Sequence, residues 1–404
     1  YGLFTILGQA LNANGRFAGL MWAPALANGV AVAGLVWFMQ AGYPSGASPA
    51  DWTPAMIGIL AGTATLSIAI QALALVIPLR RIGFRYRPVW GVRGHGLGEV
   101  SQVAKWTFGS LVVSQLGYVV TSRVLTGATE RGKVLGESVS GLAAYQNAFL
   151  IVMLPHGLIT VSLVTALYTS LSEAASRDDT RQVRRYHDQG LRLPAVIIVP
   201  GCVFLAVLAP YITSTFFFSN SLDQTRAIAV VLSVIAWMAI PMSWTYLNDR
   251  VFYAHEMTWM SFRLQCVTTG VATIGAVVAL QVEPARTAMV LGAGQVLAFV
   301  VSAAVGFWVL RRMIGNLGLR STARTYVLLL LPAIVTAVGL LLAIGRLFPD
   351  LGETRGASGL LAGGLVLGAA GAIQLGVTWG VASLLGVREI STALQPVTRR
   401  LRRR

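Results

Sequence analysis

The sequence predicts an all-α protein that crosses a membrane many times. Three observations carry that expectation. Hydrophobic residues make up 55% of the 404 and charged residues only 11%, against about 25% charged in an ordinary soluble chain. The apolar residues gather in eleven runs, most of them close to the ~20 residues with which a helix crosses a bilayer. Finally, 24 of the 31 Lys and Arg fall on one side of the topology these runs define, while the 15 Asp and Glu divide almost evenly. A bias confined to basic residues is the positive-inside signature, and it places the richer side in the cytoplasm.

The runs are 1–13, 21–42, 53–79, 102–126, 140–171, 193–217, 224–248, 257–281, 286–310, 325–346 and 358–385. The chain opens inside an apolar run at Tyr1, with no basic segment and no small-residue cleavage site, and so reads as a longer protein whose front is missing. Arg16 follows the first run, and the third is followed by Arg80, Arg81, Arg85, Arg87 and Arg93. Arg177 to Arg192, then Arg250 and Arg263, then Arg311 to Arg324 mark the later cytoplasmic connections. The C-terminus, VTRRLRRR, is cytoplasmic by the same alternation. Trp22, Trp90, Trp106 and Trp259 sit near the cytoplasmic boundary and Trp52 near the outer one, as an aromatic belt requires. Trp237 and Trp379 lie deeper, as packing residues. Gly364 with Gly368, and Gly376 with Gly380, give the last span faces for close helix packing. Cys202 and Cys266 fall inside apolar runs, which argues against a structural disulfide.

This reading divides the chain into a three-helix segment at 1–79 and a Gly- and Arg-rich linker at 80–101. A six-helix lobe at 102–310, a final pair at 311–385 that can stand apart, and a basic tail at 386–404 follow. The segment 173–190 has the mixed charge of a surface helix. The net charge of +16 is accounted for by a cytoplasmic surface facing anionic headgroups, not by nucleic acid.

The most informative stretch is Ser140–Ser172, which carries no charged side chain. Tyr145, Gln146 and Asn147 place polar groups near one end, and Pro155, His156 and Gly157 interrupt the middle. Polar groups and a helix breaker at membrane depth are tolerated against protein or a wet cavity far better than against lipid. One face of this helix is therefore expected to line a polar interior. Gln146 and Asn147 can bind sugar or peptide there, or bridge two helices. Pro155 with His156 can form a gating kink, or His156 can be a structural interface residue. Arg123 can bind phosphate, for which its guanidinium is suited, or snorkel to the outer headgroups.

Catalytic patterns are absent from the sequence. Gly94, Gly96 and Gly98 resemble part of a dinucleotide loop, but no strand precedes them. His187 and Asp188 read as members of a solvated charged segment, and four scattered His with two Cys give no metal-binding spacing. The expectation is a transporter, without cofactor or metal.

A resemblance then adds to this reading. Asn12, Arg16, Phe17, Ala23, Pro24, Leu26 and Asn28 resemble the turn between the fourth and fifth helices of MurJ (MviN) lipid II flippases. Further on, Gly62, Gln71, Pro78, Leu79, Arg80, Arg81, Ile82, Gly83 and Phe84 match the end of that family's sixth helix. Leu154–Gly157 match its eighth, and Phe252, Tyr253 and Ala254 a later loop. Leu150 and His255 depart from the pattern, standing where many members carry arginine. The likeness is to actinobacterial members of this branch of the multidrug/oligosaccharidyl-lipid/polysaccharide exporter superfamily.

The resemblance implies helices four to fourteen of a fourteen-helix fold: two lobes around a central cavity, plus a C-terminal pair forming a hydrophobic groove. It implies passage of lipid II across the bacterial cytoplasmic membrane by alternating access, with an ion gradient or the membrane potential as the open drivers. The substrate-cavity candidates are Arg123, Gln146, Asn147 and His156. Asn12, Arg16, Pro24, Asn28, Pro78, Arg80, Pro155 and Tyr253 are family-motif positions; Asn12, Arg16 and Asn28 suit a tight turn that meets lipid phosphate. Membrane lipids and cell-wall synthesis or regulatory proteins are the further partners expected. The alternatives are export of another polyprenyl-linked glycan or a drug, or a degenerate flippase acting as a cell-wall scaffold.

Overall fold

The computed structural model describes residues 2–43, 51–84, 97–136, 139–352, 356–387, 389 and 390. Among these residues every regular element is helical. Arg85, Arg87, Trp90, Arg93, Gly94, Gly96 and the tail 391–404 lie outside them, as does most of the 43–52 connection.

The chain divides into two compact units, Tyr1–His95 and Gly96–Arg404. The first holds α1 (Gly2–Ala13), α2 (Phe17–Gln40), α3 (Pro54–Leu73) and α4 (Val76–Arg81). Gly15, at φ +67°, supplies the left-handed residue that turns α1 into α2. Thr53 caps α3 by accepting from the Met56 amide at 3.3 Å, with Pro54 at the first helical position, where its missing N–H costs nothing. Gly34 lets α2 meet the Thr63 side chain of α3. Leu11, Ala23, Leu75 and Leu79 form the small core.

The second unit begins with α5 (Leu97–Leu135), then α6 (Leu142–Pro155). A π-helical turn, His156–Val161, follows directly, and α7 (Ser162–Ser176) continues the rod. Proline cannot donate in the helix ladder and crowds the preceding turn, and the register widens at the next residue. The predicted interruption is therefore a π turn inside one long rod. Next come α8 (Thr180–Val207), α9 (Ala209–Phe216), α10 (Leu222–Ile235) and α11 (Ala239–Ala254). Pro210 in the first turn of α9 marks the break after α8. The unit closes with α12 (Thr258–Ala279), α13 (Pro284–Ile314), α14 (Leu319–Leu347) and α15 (Gly356–Leu384).

Among the described residues ten rods are long and apolar enough to span a bilayer, where the sequence predicted eleven. The difference is α1, whose 12 residues fall short of a span. Outward-facing apolar side chains such as Val335, Leu342 and Leu365, 62–76% exposed, are stable in lipid and costly in water. This is a multi-pass membrane protein.

Small residues set the packing, as expected where lipid is as apolar as the side chains. The Cα atoms of Gly275 on α12 and Gly294 on α13 lie so close that a Cβ on either would sit 2.8 Å from the other's Cα. Gly117 brings α5 against Thr269 of α12. The main core draws Leu125, Val152, Ile198, Leu232, Met238 and Leu291 from α5, α6, α8, α10, the short 3-10 turn Ala236–Met238, and α13. The last two helices pack along α8 in the same unit: Trp379 Nε1 of α15 donates to the Val196 carbonyl of α8, and Gln374 Nε2 of α15 to the Ala333 carbonyl of α14, both at 2.9 Å.

Four expectations are corrected. The charged segment 173–190 mostly forms the first turns of α8, continuous with its span and capped by Asp179. His187 is not solvated there: it is fully buried, with Nε2 3.0 Å from Asn248 Oδ1. Phe252, Tyr253 and Ala254 belong to the last turn of α11, not to a loop, because Phe252 anchors that turn at zero exposure. On α15 the close contact is made by Gly363, against Thr215, while Gly364, Gly368, Gly376 and Gly380 face open space.

Candidate binding clefts

The helical spacing of the second unit builds a cleft of about 580 Å³. Ser114, Gly117, Tyr118 and Thr121 recur every three or four residues along α5 and so share one face. α6 adds Tyr145, Gln146, Phe149, Leu150 and Met153; α12 adds Gln265, Thr268 and Thr269; α13 adds Gln295 and Phe299. Among the described residues no charged side chain lines it. Gln146 Nε2 donates to the Tyr118 hydroxyl at 2.6 Å, and Gln265 Nε2 to the Thr269 hydroxyl at 3.1 Å. Aromatic walls with a few amides and hydroxyls suit a neutral, polar, bulky group such as a sugar or peptide.

Of the four cavity candidates, this cleft takes one. Gln146 both lines it and makes the interhelical bond. Asn147, one residue on, is half-buried on the adjoining face and outside the lining. Arg123 is exposed on α5, off the face that carries Tyr118 and Thr121. His156 is 3% exposed and sits within the bundle, its ring edge-on to Tyr246 at 5.8 Å. The geometry separates these residues because a helix turns 100° per residue. Tyr118, Gln265, Thr268, Thr269 and Gln295 were missed. Their signal was visible: lone amides and hydroxyls inside apolar spans.

Within the first unit a second cleft, of about 1130 Å³, is lined by Arg16 and Arg81 with Trp22, Leu26, Ile77 and Pro78. Asn12 supports the turn beneath it, its carbonyl accepting from Gly15 at 3.0 Å and its amide donating to Gln9 at 3.3 Å. Pro78 packs against Gly19, where a Cβ would meet its ring at 3.0 Å. Pro24 lies within α2; Asn28 and Arg80 are exposed and outside the lining. Two guanidiniums above apolar walls can receive the phosphate of an amphiphile. Pro155 introduces the π turn, and Tyr253 faces Arg250 at 5.8 Å. Among the described residues, no three His, Cys, Asp or Glu side chains converge as a metal site would require.

Comparison with known proteins bears on the fold and the lineage. The family model described as lipid II flippase MurJ matches residues 1–352. Among solved structures, a lipid II flippase MurJ in an inward closed conformation aligns at 16% identity with a TM-score of 0.61, over 93% of this chain and 71% of its own. A MATE structure in the bent conformation aligns at 15% identity with a TM-score of 0.57, over 80% of this chain and 67% of its own. At such identities the two structures establish the fold, and the match across 352 residues establishes the lineage. The chain belongs to the lipid II flippase MurJ family.

Proposed function

We propose that this protein moves lipid II, a polyprenyl-diphosphate bearing a saccharide–peptide headgroup, between the leaflets of the bacterial cytoplasmic membrane, with its C-terminus in the cytoplasm. The family match over residues 1–352 carries the reading, and the two clefts support it chemically. A diphosphate and a large polar headgroup cannot cross hydrocarbon unaided. The uncharged cleft between α5, α6, α12 and α13 offers amides and hydroxyls to the sugar–peptide portion. Arg16 and Arg81 offer fixed positive charge to phosphate. Transport follows alternating access, the binding site opening to one leaflet and then the other.

The test is translocation by the whole protein in lipid vesicles. Fluorescent lipid II is placed in both leaflets, and headgroup accessibility to an impermeant quencher is followed in time. Time-dependent gain of accessibility that a phospholipid analogue does not show supports the reading. Movement of other polyprenyl glycans or of drugs with lipid II left static would replace it.

A further inference from the structure

Buried polar atoms in folded proteins nearly always have partners, and those without a protein partner take water or an ion. Four such atoms belong to residues that neighbour one another in a chain through Tyr246: His156 Nδ1, Arg250 Nε, Asp249 Oδ1 and Ser261 Oγ. Asp249 and Arg250 close the arginine-bearing end of α11. The guanidinium donates from Nη2 to the Tyr246 hydroxyl at 2.6 Å. It also lies over the rings of Tyr246, Tyr168 and Tyr253 at 4.6, 5.6 and 5.8 Å. Asp249 stands beside Ser261 of α12 and near Arg250, but no carboxylate oxygen comes within ion-pair distance of that guanidinium among the described residues. Tyr246 also meets the His156 ring, edge-on at 5.8 Å.

We infer that this nest is a proton-exchange site, with Asp249 as the acceptor and Tyr246 linking it to the π turn. The inference rests on the proposed topology, which puts this end of α11 at the cytoplasmic surface. A metal cation is disfavoured because Arg250 already occupies the nest with a positive charge. α7 presents Tyr168, the π turn His156, and α12 Ser261, with Arg263 turned outward over Trp259 at 4.5 Å. α8 presents His187, held by Asn248 and edge-on to Phe307 of α13. On α11 itself, His255 Nδ1 lies 2.9 Å from the Val251 carbonyl.

The step is a proton transfer alone. Hydronium gives up a proton, an O–H bond forms on an Asp249 oxygen, and water is released. The nest passes from neutral to singly positive, the carboxyl's hold on Arg250 weakens, and the tyrosine cage alone retains the guanidinium. Tyr246 transmits that change to His156 at the π turn, a feature often found at functional sites.

Infrared difference spectra of the whole purified protein, recorded between acid and neutral pH without substrate, test the inference. The expected result is a protonated-carboxyl band that Asp249→Asn loses, and that Tyr246→Phe moves to a different midpoint. Asp249→Glu retains an acid and serves if the asparagine variant does not fold; its band should appear at a shifted midpoint. An unchanged band in Asp249→Asn, or an unshifted one in Asp249→Glu, overturns the proposal. Since no lipid II is present, failure here is distinct from failure of the transport reading.

Discussion

Gln146 and Tyr118 are joined across α6 and α5 by a 2.6 Å hydrogen bond from the amide nitrogen to the phenol oxygen. Both side chains line the uncharged cleft, so one bond fixes two binding groups. Tyr118→Phe removes the acceptor and leaves the ring. Its cost in stability should be small, about 0.5–1.5 kcal/mol, because the pair is exposed. Lipid II translocation should fall more than thermal stability does, since the amide loses its orientation. Paired melting and translocation measurements check this.

Arg123 lies outside that arrangement, exposed and off the cleft face. Arg123→Ala is expected to change stability by no more than about 0.5 kcal/mol, as exposed sites usually do. Translocation should stay near wild type, the result a snorkelling arginine gives. A large transport defect at normal expression, measured in a depleted strain, would return Arg123 to the binding site.

The Gly275–Gly294 crossing is a constraint of backbone on backbone. A Cβ at either position would lie 2.8 Å from the opposing Cα, so α12 and α13 must separate to accept it. Gly294→Ala is expected to destabilise by about 1–3 kcal/mol, the usual cost of overpacking. It should also disturb Gln265 and Gln295, which these two helices carry into the cleft. Thermal denaturation in detergent reads the first effect and lipid II binding the second.

Arg192 holds α8 to two later segments. It reaches Asp188 at 2.8 Å, Glu389 at 3.0 Å and the Ser321 hydroxyl at 2.9 Å. Because these side chains are 18–32% exposed, solvent screens the pairs and the cost of Arg192→Ala should be about 1 kcal/mol or less. The clearer readout is local: limited proteolysis near Glu389 should accelerate several-fold, with the bundle intact.

How much was legible in the sequence varied with the physical scale of the signal. Span number and order follow from hydropathy, and only α1 fell short, because its apolar run is itself shorter than the ~20 residues that cross a bilayer. The interruption at Pro155 was visible because proline has one mechanical consequence; that it becomes a π turn depends on neighbours. Gln146 was found because an amide in hydrocarbon is costly alone. Its partner Tyr118, and the amides Gln265 and Gln295, were passed over as isolated residues, since only packing shows four helices converging. His187 was misread for a related reason. Arg184 and Arg185 coloured its surroundings as solvated, while its helix face turns inward to Asn248.

The direct test of the central claim is capture of lipid II by the cleft. A photoreactive lipid II analogue is crosslinked to the whole protein in membranes, and the labelled peptides are mapped. The account predicts label on α5, α6, α12 and α13 around Tyr118, Gln146, Gln265 and Gln295, displaced by unlabelled lipid II. Label confined to lipid-facing surfaces, or undisturbed by competitor, would contradict it.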